Sequence, residues 1–290
     1  MLVVLTVDDL GLHAAVRRAV EVLARAGAVT SASHLANAPD TDAAARVQGL
    51  DLGVHLELVR GRPVLPPGQV PSLVDPDGRF PGSTGVFVRR LLLGRVDPGQ
   101  VEREWSAQID RVRSLGVRPT HLDSEKHVHA WPALMEVTLR LARRHGIGWV
   151  RRPCERTPWA WPRAGTLRAL FLRVLSLRHR PSPGIGWPDA VWGIAEAGGR
   201  LTPEGLATYL RGQTEAAVVE VITHPGAPEA GDPPLDPERG PMRVERLWRA
   251  ELEALLDPGL GATVRAAGGT MTGFDRIDPA TRSLRTGRQE

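Results

Sequence analysis

Short apolar runs alternate with segments of helical period along most of this chain. Leu2 to Val7 (LVVLTV) is apolar and β-branched, the pattern of a strand buried on both faces. It gives way to Asp8, Asp9 and Gly11. From His13 to Ala26 the apolar residues Val16, Ala19, Val20 and Leu23 recur at helical spacing, and Gly27 closes that helix. Further strands are predicted over 28–35, 52–58, 118–123, 147–152 and 217–223, with shorter candidates at 190–194 and 262–266. Helices are predicted over 42–47, 101–115, 131–145, 203–211 and 243–256. One more follows from the stripe Leu167, Leu170, Phe171, Val174, Leu175, at i, i+3, i+4, i+7 and i+8. Arg163, Arg168, Arg173 and Arg178 occupy its remaining faces.

Strand–helix alternation of this kind implies a parallel sheet with helices outside. Seven or eight strands suit an irregular (β/α) barrel, an α/β fold, better than an open sheet. Polar residues gather where strands end: Asp8-Asp9, His55, the segment His121 to His129, Arg151-Arg152, and His224. In a barrel those ends share one face, where active sites sit. The segment 60–85 is rich in proline and glycine and is read as a substrate-covering loop, because the alternation resumes after it. One domain is expected over 1–274, with a loosely ordered tail at 275–290.

Composition changes this picture little. Hydrophobic content of 42% and charged content of 24% are ordinary for a globular protein. The net charge of +4 and pI of about 10.3 could suggest nucleic acid. However, the arginines are spread along the chain and mixed with acids, without a basic block or aromatic–basic interleaving, so no nucleic-acid partner is expected. No run approaches the roughly 20 apolar residues of a membrane span. No signal peptide is read at Met1, and the lone Cys154 fits a reducing compartment, so the expected location is cytoplasmic. The 167–175 stripe with its arginines could lie on an anionic membrane, but the reading favoured here is a barrel helix with a solvated basic rim.

Candidate chemistry concentrates in Thr120 to His129 (THLDSEKHVH). It packs three of the nine histidines, two carboxylates and the only lysine into ten residues. That composition reads as one wall of a metal-dependent site, where imidazole and carboxylate converge on a cation and an activated water. Asp8 and Asp9 suit a division of labour, one binding metal and one accepting a proton, although Asp9 before a helix also reads as an N-cap. His55 lies in an apolar run and gains weight as a ligand from its place at a strand end. His224, in Thr-His-Pro-Gly, could move a proton or simply occupy a turn. There is no G-x-S-x-G elbow, P-loop or Rossmann fingerprint. Trp159, Trp161, Trp187 and Trp192 are read as core rather than as sugar platforms.

Taken together, TVDDLGL, GVHLEL, THLDSEKHVHAWP and THPG resemble the YdjC/ChbG-type carbohydrate deacetylases, in order and in register from about Val4 to Gly226. The segment from Gly53 to Phe80 is similar to the HpnK-like branch. The resemblance implies a divalent cation, Mg or Zn, and hydrolysis of an N-acetyl group from an amino sugar or glycoconjugate. By position it implies Asp9 and His55 as metal ligands, Asp8 as catalytic base and His224 as general acid. The position after Ser124, commonly histidine in the family, is Glu125 here. A carboxylate can replace imidazole and favours harder cations, so Glu125 completes the expected set, with His127, Asp123 and Arg151 as additional site residues. Two alternatives stand beside this: a glycoside hydrolase using two of Asp8, Asp123 and Glu125, and a non-catalytic carbohydrate-binding member. A homodimer is compatible with everything above.

Overall fold

The computed structural model describes residues 1–156, 165–180, 182–195, 201–235 and 246–285. Its strands are β1 (Leu2–Leu10), β2 (Ser31–His34), β3 (Asp51–Leu56), β4 (His121–Ser124), β5 (Trp149–Val150), β6 (Ala190–Trp192), β7 (Val218–Thr223) and β8 (Thr270–Met271). The helices are α1 (Ala14–Arg25), α2 (Thr41–Ala44), α3 (Thr84–Leu92), α4 (Pro98–Ser114), α5 (Pro132–His145), α6 (Thr166–Ser176), α7 (Pro203–Arg211), α8 (Trp248–Leu255) and α9 (Leu260–Ala266).

All the strand pairings are parallel, in the order β5-β4-β3-β2-β1-β7-β6, with β8 beside the start of β1. The sheet curls strongly. Ser33 on β2 reaches past β3 to donate a hydrogen bond to Asp123 on β4 (2.8 Å). Arg151, just beyond β5, bonds both Asp8 on β1 and Glu220 on β7. Between β5 and β6 the opening is narrowed by a bridge from Trp149 to Gly186 and by the Val191 N–H donating to the Cys154 carbonyl (3.3 Å). The result is the expected irregular, barrel-like α/β fold.

The apolar runs face the helices. Val3, Leu5 and Val7 of β1 meet Val16, Val20 and Leu23 of α1 in a continuous buried layer, as expected where a parallel sheet is covered by helices. The opposite face of the sheet is different. Its lower end is closed by Val4, Trp149, Val218, Phe274 and Ile277. Above that plug, the period-two alternation of the strands turns Thr6, Ser31, Ser33, Asp51, His55, His121, Asp123 and Glu220 inward, and all are buried. A polar interior of this kind is stable only if its members satisfy one another.

Three expectations change. The stretch 262–266 belongs to a helix, α9: buried Leu260 and Val264 lie four residues apart, a helical spacing that a short apolar run conceals. The strand at this end is β8, at Thr270–Met271. The tail does not start loose at 275: Ile277 is fully buried and pairs with Leu284 across a bridge, closing the barrel floor. Residues 286–290 lie outside the described set, as do Trp159, Trp161 and Arg163. Finally, α6 forms as predicted but is rotated. It buries Ala169, Leu172, Leu175 and Ser176. Leu167, Leu170, Phe171 and Val174 stay exposed. Ala169 and Ser176 leave room there for Leu172 and Leu175 to pack on the barrel, and periodicity alone does not say which face does so.

The loop 60–85 is pinned rather than free. Buried Glu104 of α4 accepts the N–H groups of Val64 (2.8 Å) and Leu65 (3.0 Å), and Val70, Leu73 and Phe80 are buried. No described helix is long and apolar enough to cross a membrane.

Two tests follow from this packing. A Cβ at Gly53 of β3 would lie 2.3 Å from Nε2 of His121. Gly53→Ala should therefore cost about 1–3 kcal/mol through overpacking, read as a lowered urea midpoint. His34 is fully buried, and burial lowers its pKa to about 4 from an ordinary 6.5, against the opposing effect of its bond to the Thr41 carbonyl. Between those values the unfolded chain takes up a proton that the folded chain refuses. Stability should fall on acidification from about pH 6.5 to pH 4, by up to roughly 3 kcal/mol for this group. His34→Gln should show a smaller difference between denaturation curves at those two pH values.

Candidate active site

Arg151 is the centre of the polar interior. Fully buried, it donates from Nη1 and Nη2 to the two oxygens of Asp8 (2.8 and 2.7 Å). It donates from Nε and Nη2 to Glu220 (3.0 and 2.8 Å), and its Nη1 lies 2.5 Å from Asp123 Oδ2. Thr6 adds a hydroxyl bond to Glu220 (3.0 Å). Burial alone would depress the guanidinium, but Asp123, Asp8 and Glu220 push its pKa well above the ordinary arginine range. Asp123, which burial would raise, is held well below the usual carboxylate range by Arg151 and then His55.

His55 extends this cluster toward the mouth. Its Nδ1 is 2.8 Å from Asp123 Oδ1. An ionised carboxylate only accepts, so Nδ1 carries a proton and the ring orientation is set. Its Nε2 faces Asp9 Oδ1 at 3.5 Å. Burial opposes charge on this ring, yet Asp123, Asp8 and Asp9 push its pKa up to about 10. Four carboxylates, those of Asp8, Asp9, Asp123 and Glu220, meet one guanidinium and one imidazole here. The pocket is built to hold positive charge.

Asp9 gets there by a local distortion. Two successive residues of a regular strand point to opposite faces. Here the β1–β2 register shifts between Val7 and Leu10, and Asp9 takes φ +64°. A bulge with a left-handed residue swings Asp9 to the same side as Asp8. Gly11 follows at φ +96°; a Cβ there would lie 3.2 Å from the Leu35 carbonyl oxygen. Strain of this kind costs about 1–3 kcal/mol per residue and persists where the surroundings enforce it.

The fourth-strand segment turns sharply after Ser124. Lys126 and His127 both have φ +55°, and the segment Glu125–Ala130 forms a 3-10 turn. Glu125 is buried, with Oε1 3.6 Å from Arg60 Nε and 3.9 Å from Lys126 Nζ. Its Oε2 is buried without a hydrogen-bond partner. His127 is half-buried; burial first, then Arg151, lowers its pKa well below 6.5, so its ring is neutral. His129 is structural: its ring spans Ser124 Oγ (2.5 Å) and the Arg151 carbonyl (2.8 Å). His224 follows β7 with Nε2 4.0 Å from Asp8 Oδ2. Its backbone N–H donates to Glu251 (2.5 Å), and Nδ1 has no hydrogen-bond partner.

The residues expected to act together thus sort into two sets. Asp8, His55 and Asp123 each bring a ligand atom within 4.8 Å of the others, a buried group able to hold a metal ion. Asp9 and His55 face each other separately, with Glu125 on the rim beside Arg60.

The family model of YdjC-like proteins matches residues 2–266. The chain belongs to the YdjC-like family. Within that family, the carbohydrate deacetylase of Homo sapiens is 31% identical over 96% of this chain and 91% of its own length. That of Geobacillus stearothermophilus is 38% identical over 50% of this chain and 57% of its own. A solved structure from Enterococcus faecalis, described as a cellobiose-phosphate cleavage protein, has 25% identity and a TM-score of 0.69, covering 94% of this chain and 97% of its own.

Sequence reasoning missed several partners that hold this family member's site together. Glu220 is the clearest: it is the charged residue inside the apolar run Val218–Thr223 (VVEVIT), and that misfit was the available signal. Ser33 and Thr6 carry no such mark. Arg60 opens the loop at 60–85 and had no pattern pointing inward. Replacing Arg151 with Met should leave three carboxylates buried without their countercharge. It should cost about 3–5 kcal/mol in urea denaturation of metal-free protein, and Arg151→Lys should recover part of that.

Proposed function

We propose that this YdjC-like hydrolase is a metal-dependent carbohydrate deacetylase. It would remove the acetyl group from an N-acetylated sugar or glycoconjugate, in a reducing, cytoplasmic compartment. Its relatives named carbohydrate deacetylases support the reaction class. The observation that carries the metal is the placement of His55, with Nδ1 2.8 Å from Asp123 and Nε2 turned to Asp9 at 3.5 Å.

Asp9, His55 and Glu125 are the ligand set favoured here. Donor atoms about 2.0–2.1 Å from a tetrahedral ion lie roughly 3.4 Å apart, which suits the 3.5 Å between Asp9 Oδ1 and His55 Nε2. Asp123 then orients His55 from behind, a common arrangement around metal-bound histidine. Glu125 Oε2, buried without a hydrogen-bond partner, supplies the third donor and the second oxygen of the set. The competing set, Asp8 with His55 and Asp123, would place a cation against the Arg151 guanidinium that already binds both carboxylates. Two carboxylates and one imidazole accept either magnesium or zinc.

When bound, the cation supplies Lewis-acid polarisation of the acetyl carbonyl and acidification of a water. Asp8, fixed by the two-pronged Arg151 contact, accepts the proton of the attacking water through its remaining lone pairs. His224, with Nε2 4.0 Å from Asp8 Oδ2, delivers a proton to the sugar nitrogen as the C–N bond breaks. Acetate and a free amino sugar leave. A glycoside hydrolase needs a carboxyl group kept protonated as its acid. Asp123 is held in the opposite state.

Asp8→Asn should retain metal, measured by elemental analysis, and lose about 10²–10⁴-fold in acetate release from an N-acetylated sugar panel. Asp9→Ala and Glu125→Ala should lose metal before they lose fold. If Asp8→Asn empties the site while Asp9→Ala keeps it full, the ligand assignment passes to Asp8, His55 and Asp123. Magnesium or zinc added to chelator-treated protein should restore turnover; activity that survives chelation overturns the metal-dependent reading.

A further inference from the structure

Helix α6 has two apolar faces, and the barrel uses one. Ala169, Leu172 and Leu175 pack with Val191, Ile194, Ile222 and Ala130. The other face carries Leu167 (70% exposed), Leu170, Phe171, Val174 and, just past the helix end, Leu177 (68%). A row of five large exposed apolar side chains on one short helix is not ordinary surface scatter. From Thr166 to Arg180 the segment holds no acid, while Arg168, Arg173, Arg178 and Arg180 flank the row, all four exposed.

We propose that this face of α6 docks on an anionic lipid bilayer. The leucines, Phe171 and Val174 would enter the headgroup–acyl boundary, with Arg173, Arg178 and Arg180 snorkelling to lipid phosphates, while Arg168 donates to the Ile194 carbonyl. The charge pattern selects the occupant. A symmetric dimer through this face would bring like-charged arginine rims together with no acid on the segment to offset them. A bilayer rich in acidic lipid offers both an apolar interior and the opposite charge. The surface also adjoins the mouth. The Phe171 ring packs edge-on against Trp131 (5.7 Å), directly after the turn that carries Glu125. Ile222, buried against α6, lies two residues before His224. Docking here would set the opening of the site at the membrane surface, and the chain would bind peripherally, consistent with the absence of a spanning helix among the described residues.

The test is co-sedimentation with vesicles of phosphatidylglycerol and, separately, of phosphatidylcholine, and it does not depend on the catalytic reading. The protein should bind phosphatidylglycerol vesicles and release as salt rises, with little binding to phosphatidylcholine. L170E/F171E and R173E/R178E should each reduce bound protein by about tenfold or more, while circular dichroism and thermal melting match the parent. Should the glutamate pair prevent folding, L170S/F171S serves in its place. Absence of binding to phosphatidylglycerol, or equal binding by these variants, overturns the proposal. So does a dimer in light scattering that L170E/F171E converts to monomer, since a second copy would then occupy the face.

Discussion

The buried guanidinium of Arg151 is the constraint on which the rest of this structure depends. It joins carboxylates from β1, β4 and β7 at distances of 2.5–2.8 Å, and so ties β4, near one edge of the sheet, to the adjacent pair β1 and β7. A single buried charge in this setting would be intolerable, and one ion pair would be a weak asset. Here the arginine has three acidic partners, and the acids have further support from Thr6, Ser33 and His55. The curl of the sheet and the chemistry of its mouth are therefore one arrangement, because the side chains that close the interior also orient His55 and Asp8.

Around that fixed centre, the backbone is distorted at two places, both at strand ends facing the mouth. Asp9 sits at φ +64° in a bulge, and Lys126 and His127 both sit at φ +55°. Neither is a glycine position. In each case a regular continuation of the strand would send the next side chain away from the mouth. The strain is held by packing on both sides: by the Gly11 turn against Leu35 in one case, and by His129 clasped between Ser124 and the Arg151 carbonyl in the other.

Helix α6 shows the same economy at the surface. Its inward face, Ala169, Leu172 and Leu175, packs against Ala130 and Ile222. Its outward face is as apolar as a core helix but ringed with arginine. This apolar, basic rim lies next to the opening of the site, against Trp131 on one side and Ile222 on the other.

Much of this was legible in the residues themselves. Alternation of apolar runs with helical periods gave a parallel barrel-like sheet, and polar residues at strand ends located the mouth: Asp8, Asp9, His55, Asp123, Arg151 and His224 do line one region. The order of motifs carried the family. What periodicity could not supply was rotation and reach. It could not tell that α6 turns its leucine stripe outward, that 262–266 continues a helix, or that Ile277 closes the floor. Nor could it pair Glu220 with Arg151 across 69 residues or bring Arg60 to Glu125. Local spacing records which faces are apolar, whereas the partner of a buried charge is chosen by the curl of the sheet. That choice exists only once the chain has closed on itself.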